Sequence, residues 1–192
     1  MSYECNRYGI YTLIEYPSGC LRLTLQNLES MEEEADKLLE EKLDFIQACE
    51  KYYKISEEIV KALSEMFAPE TMKKVTERIK KGDTPWTTRL LNIAVDEIVV
   101  NIKWTDTEQE RIFRDGWRAA VTLHRDGFHE QELTYSDILN EVRKVKNLIN
   151  LAKTVLKDYE DRFLKTTATR DAEIKSPEDF LRKIKEPRGE SA

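Results

Sequence analysis

Residues 86–104 read WTTRLLNIAVDEIVVNIKW, the most apolar run in a chain that is otherwise densely charged. Any core must form around it. Placed at about 100° per residue, Leu91, Ala94, Val95, Ile98 and Ile102 fall on one side, and Arg89, Asn92, Asp96 and Lys103 on the other. The second half, Ile98 to Trp104, is also rich in β-branched residues and partly alternates, as a half-buried strand does. The helical reading accounts for more of the stretch. With Ile93, Val99 and Val100 added, the apolar arc predicts a helix covered on most sides, the pillar of a bundle.

Composition points the same way. Charged residues are 35% of the 192 and hydrophobic residues 40%, with only 6 Gly and 5 Pro, which suits long exposed helices rather than a turn-rich sandwich or barrel. The length predicts one domain that buries a core without disulfides or metals. Cys5, Cys20 and Cys49 lack both the even count of a disulfide framework and paired CxxC spacing, so they read as reduced thiols. A net charge of -6 with 31 Lys and Arg argues against a protein that simply coats nucleic acid, while a local basic patch stays open. The N-terminus lacks the charged and apolar regions of a signal peptide, and no apolar run approaches the roughly 18–20 residues that span a bilayer. The expectation is a cytoplasmic protein with no membrane partner.

Along the chain, IYTLIEY and CLRLTLQ flank Pro17-Ser-Gly, and the near-alternation of both arms predicts a β-hairpin over Tyr8 to Gln26. From Ser30 an acidic first turn opens a long helix through Ile55, its apolar stripe broken at Lys42. Ser56 either begins a new helix or lies within a continuing one, Pro69 sits in the first turn of the next, and Gly82-Asp-Thr-Pro85 ends this half. A capping sequence at Thr105 opens another helix, in which Gly116 is a weak point. Asp126 to Tyr135 reads as a loop, after which Ser136 caps the longest helix, with Ile138, Val142, Val145, Ile149, Ala152, Leu156, Tyr159 and Phe163 at three and four spacing. The expected fold is mainly α: a helical bundle with long antiparallel amphipathic helices and an N-terminal β-hairpin. Its parts are a hairpin over 1–28 packed on the bundle, the bundle over 29–165, and a loosely ordered tail over 166–192 with a short amphipathic helix near Phe180 to Ile184.

Four features carry candidate chemistry. In WRAAVTLH, Arg118 and His124 lie on one predicted helix with five residues between them. This spacing resembles that of the HEPN ribonuclease family, whose all-α domains pair two such motifs at a dimer interface to cut RNA. That family's polar residue directly after the arginine is Ala119 here; an ordinary structural pair is the bland alternative. Arg111, Arg114 and Arg118, with Arg125 a turn beyond, form a stripe that could follow a phosphate backbone, although Glu108, Glu110 and Asp115 interleave with it as solvated ion pairs. His124 and His129 with Asp126 and Glu130 are of ligand type, but their spacing is not the i, i+4 pair of a helical zinc site, so no metal is expected. Finally, the stripe of Leu156, Tyr159 and Phe163 runs toward the far end of a helix roughly 45 Å long and wants cover, from the helix beginning at Met31 or from a second chain.

Phosphate loops, nucleophile elbows and Cys–base pairs are missing from the sequence, and no cofactor is expected. The reading that follows is a non-enzymatic helical interaction or scaffold subunit of a larger intracellular assembly, with a protein partner or a second copy of itself. The alternative is a helical subunit of a nucleic-acid-processing or ribonucleoprotein complex, contacting phosphates through the arginine stripe. A HEPN-like ribonuclease using Arg118 and His124 is the third reading.

Overall fold

The computed structural model describes the backbone of residues 17–168 and the side chains of residues 27–158. Six α-helices follow in order: α1 (Pro17–Asp36), α2 (Phe45–Phe67), α3 (Pro69–Lys80), α4 (Thr88–Asn101), α5 (Thr107–Thr122) and α6 (Tyr135–Ala168). A π-helical turn, Lys37–Glu41, follows α1, and a π-helix, Leu123–His129, follows α5. No strand is present among the described residues.

α1, α2, α5 and α6 make an up-and-down four-helix bundle, with the α3–α4 pair inserted between its second and third helices. Ion pairs record the directions. Lys146 to Asp36 and Lys153 to Glu32, each 2.8 Å, lay α1 antiparallel along α6, and Lys51 to Glu34 at 2.9 Å joins α1 to α2. The Tyr52 hydroxyl donates to Asp36 across the same seam. α5 and α6 come close enough at Gly116 that a β-carbon there would meet Leu148.

Residues 86–104 are helical in the middle, as read, with Thr87 capping α4 by accepting from the Leu90 amide. Leu91, Ala94, Val95 and Ile98 are buried, but Ile93 and Ile102 are half-buried and Val100 is 81% exposed. The pillar is α2 instead, the one element that touches every other described element. Its buried face is built from Ala48, Cys49, Tyr52, Tyr53, Ser56, Ile59, Leu63 and Ser64. Small and aromatic residues allow close approach on several sides. The two buried serines satisfy their hydroxyls on the carbonyls of Tyr52 and Val60 one turn back.

α4 has a second structural task. Ala68, between α2 and α3, has no side chain with which to cap either helix. Glu97 supplies the cap for α3, accepting from the amides of Glu70 and Thr71 at 2.8 and 3.0 Å and from the Thr71 hydroxyl at 2.8 Å. One turn on, the Asn101 amide donates to the Phe67 carbonyl at 2.9 Å and so satisfies the end of α2. Two polar residues four apart hold the bend.

Four expectations are corrected. The second hairpin arm, Cys20 to Gln26, is helical and part of α1. Leu21, Leu25 and Leu28 also fit a helical spacing, and that period wins; the first arm, 8–16, lies outside the described residues. The long helix expected from Ser30 to Ile55 is two helices, separated where the stripe breaks at Lys42: Leu43 takes a φ of 54°, and Asp44 caps α2 by accepting from the Gln47 amide at 3.1 Å. Of the expected loop at 126–135, the first four residues are π-helix and 130–134 are loop, and α6 is capped by Thr134, which exchanges hydrogen bonds with Asp137, rather than by Ser136. Leu156 is fully buried within the chain, so it offers no free face. Tyr159 and Phe163 lie on α6 beyond the described side chains, the helix runs on to Ala168 through the start of the expected tail, and 169–192 lie outside the described residues.

Candidate functional site

His124 is held on three sides. It starts the second position of the π-helix, facing α2, and its Nδ1 lies 2.6 Å from Glu50 Oε2. The Tyr53 ring stacks on it at 4.1 Å between centroids and 18° between planes, and Phe128 lies roughly parallel at 6.0 Å. A carboxylate at one ring edge and rings at its faces leave one free position, Nε2. There it meets the Nε2 of His129, 3.2 Å away.

This meeting depends on the π-helix. In an α-helix, residues four apart share a face because the backbone bonds run between residues four apart. From Leu123 onward the backbone bonds span five residues, as in Glu130 N–H to the Arg125 carbonyl at 2.9 Å, and the wider turn brings residues five apart much nearer one face than an α-helix does. The wide turn packs tightly on α2: a β-carbon at Gly127 would lie 2.7 Å from Cys49 Sγ. Glycine is required there for approach, not for a turn. Burial against this wall pushes the Cys49 thiol up to about 11, so it stays protonated. Burial first, and then the carboxylates of Glu57 and Glu50, also raise the Tyr53 hydroxyl.

Glu50 borders a cleft of about 510 Å³ between α1 and α2, lined also by Asn27, Ser30, Lys51, Lys54 and Glu58. Lys54 stands 3.9 Å from Glu50 and 3.0 Å from Glu57. Although burial works against its charge, hydrogen bonds from Lys61 and Lys54 hold the Glu57 carboxyl below its ordinary range.

The arginines occupy a different surface. Arg111 is paired with Glu108 and Asp115, Arg114 with Glu110 and Asp96, and Arg125 with Asp126. Arg118 is 75% exposed, with one long ion pair, 3.7 Å to Asp115. Arg114 and Arg118 line a cleft of about 380 Å³ between α4 and α5, whose floor holds Trp117 with its indole N–H on Asn92. Arg118 and His124 therefore have different neighbours, one in the α4–α5 cleft and the other against α2. Glu50 and Tyr53, absent from the sequence reading of the site, come from a distant helix, and only the fold brings them to His124.

A third feature is apolar. Leu43, Ile46, Tyr135 and Leu139 are exposed at the bundle end where α2 and α6 both begin, and the rings of Phe45 and Tyr135, 4.8 Å apart, join the two helices there.

Residues 23–149, from α1 into α6, match the family model described as archaeal PaREP1/PaREP8. The chain belongs to the archaeal PaREP1/PaREP8 family. The matched span holds Glu50, His124 and His129 and the whole arginine stripe, and ends before Leu156. This family member is also similar to a Sulfolobus solfataricus protein of known crystal structure, with 33% identity and a TM-score of 0.51 over 67% of this chain and 95% of that one. No curated protein matches the chain. Among the described residues, no helix is long and apolar enough to cross a membrane.

Proposed function

We propose that this PaREP1/PaREP8 protein is a helical interaction subunit that associates through the apolar end of its bundle, with a second copy of the chain as its partner. The observation that carries this reading is Leu43. It is 61% exposed and has a φ of 54°, so a large apolar side chain is presented to solvent from a backbone conformation that disfavours it. The φ itself closes the end of the preceding helical turn, across which the Asp44 amide donates to the Leu38 carbonyl at 2.8 Å, but that closure gives no reason for an exposed leucine at a position that suits glycine. Tyr135, 52% exposed, Ile46 and Leu139 extend the patch across both helices.

The chemistry of the partner follows from the caps. Helix N-termini attract anions, but Asp44 already accepts from the Gln47 amide in the first turn of α2, and Thr134 and Asp137 exchange hydrogen bonds that cap the start of α6. The positive ends are neutralised within the chain, which leaves an apolar surface that fits another apolar surface. The same patch on a second copy supplies one, in the self-complementary arrangement of a twofold dimer.

Light scattering across a concentration series should show a mass above the 22.6 kDa monomer. Leu43→Gly should return the mass toward the monomer while leaving the fold at least as stable, since glycine takes that φ without strain. Val100→Asp, on an exposed position elsewhere, should leave the mass unchanged. A monomer at every concentration refutes self-association.

A nucleic-acid subunit is the second reading, and what favours it is the exposure and loose pairing of Arg118 beside Arg114 in the α4–α5 cleft. Salt-sensitive binding of RNA or DNA that weakens in Arg118→Ala would support it; no binding at low salt would end it.

A further inference from the structure

We infer that His124 and His129 form a bis-imidazole site for a divalent transition metal of the zinc, cobalt, nickel and copper group, with Glu50 orienting the first ligand. The spacing that is wrong for an α-helical metal pair is right for the π-helix in which the two residues lie. Two nitrogens bound at about 2.0–2.1 Å to one tetrahedral ion stand about 3.3 Å apart. The two Nε2 atoms are 3.2 Å apart. Their rings are set at 77° to each other, so they converge on this point from different directions.

The tautomer is determined by Glu50. Its carboxylate, 2.6 Å from Nδ1, accepts a hydrogen bond from the Nδ1–H, which keeps the ring proton on Nδ1 and leaves the Nε2 lone pair for a metal, the carboxylate–histidine–metal arrangement that raises ligand basicity. Tyr53 and Phe128 prevent the ring from turning away. The nearest cation along the chain, Arg125, is tied to Asp126 by bonds of 2.5 and 2.8 Å. His129 lies on the surface, so the pair opens to solvent.

No third His, Cys, Asp or Glu completes the set among the described residues. The site is therefore an open one, in which water or a bound ligand fills the remaining positions. Imidazole nitrogen selects the borderline divalent ions over magnesium or calcium, which prefer oxygen.

The test is titration of the full-length, untagged protein with Zn²⁺ and, separately, Mg²⁺ by calorimetry, together with thermal melts. Zn²⁺ should bind one per chain and raise the thermal midpoint, and Mg²⁺ should do neither. His129→Ala, a change at the surface, should keep the metal-free midpoint and lose this binding, which separates the site from thiols elsewhere. Glu50→Gln should weaken Zn²⁺ by about 10–100-fold, the usual effect of losing such a carboxylate. Zn²⁺ affinity equal in the wild type and His129→Ala would overturn the inference, as would no binding at all; the imidazoles would then simply be hydrogen-bonded to each other.

Discussion

Gly116→Ala probes the tightest point of the bundle. A β-carbon at 116 would lie 2.4 Å from Leu148 Cβ, 3.1 Å from the Lys144 carbonyl oxygen and 3.2 Å from Leu148 Cδ2. Carbon atoms in ordinary contact are about 3.5–4.0 Å apart, so α5 and α6 must separate by about 1 Å. No rotamer change relieves this, because Leu148 Cβ is fixed to the α6 backbone. Overpacking costs about 1–3 kcal/mol, and here the upper end applies because two helices must move. Alanine returns about 1 kcal/mol through its higher helix propensity. The net loss is about 2 kcal/mol, which for a chain of this size lowers the thermal midpoint by about 4–8 °C. Urea denaturation followed by circular dichroism should show a lower midpoint with an unchanged slope. Adding Leu148→Ala should not restore stability, because that variant keeps the offending β-carbon. A Gly116→Ala protein as stable as the wild type, or rescue by Leu148→Ala, would refute the reasoning.

Two further predictions concern α4 and the alkaline limit. Glu97→Ala removes the acceptor of three hydrogen bonds at the start of α3 and leaves the buried Thr71 hydroxyl without its partner, so it should cost about 1–3 kcal/mol; hydrogen exchange should speed up first in α3, and uniform exchange would count against the cap. The Cys49 thiol, raised to about 11 in the folded chain, contributes stability that is complete below the unfolded thiol's pKa of about 8.5 and lost as pH rises toward the folded value. Stability measured from pH 8 to 11 should therefore fall, and Cys49→Ala should flatten part of that fall; an identical slope in the variant would remove Cys49 as its cause.

The helical character of the chain was legible because periodicity registers burial on one side of a helix, as Leu91, Val95 and Ile98 demonstrate. The choice of pillar was not. Hydropathy favours Ile and Val, yet Val100 faces solvent, whereas the residues that let α2 be surrounded, such as Ala48, Tyr52, Ser56 and Ser64, register weakly. Leu21, Leu23 and Leu25 satisfy a period of two within a longer helical period, and seven residues are too few to choose between them. The arginine stripe was visible as ion pairs waiting to form, and Glu108, Glu110 and Asp115 formed them. The histidine pair was visible as residues but not as a site. Whether residues four or five apart share a face depends on a π-helix, and the π-helix packs through Gly127 against Cys49, more than seventy positions earlier, a contact no local pattern announces.

The central position of α2 also has a consequence for the order in which the chain is made. Its face is covered on one side by α1, already synthesised, and on another by α6, which begins only at Tyr135. At about 5–20 residues per second on the ribosome, the interval between the end of α2 and Leu156 lasts several seconds. Throughout it the nascent chain exposes the seam that α6 will fill. Until the last long helix emerges that seam is apolar surface open to aggregation, so a chain stalled before Tyr135 would be the aggregation-prone form.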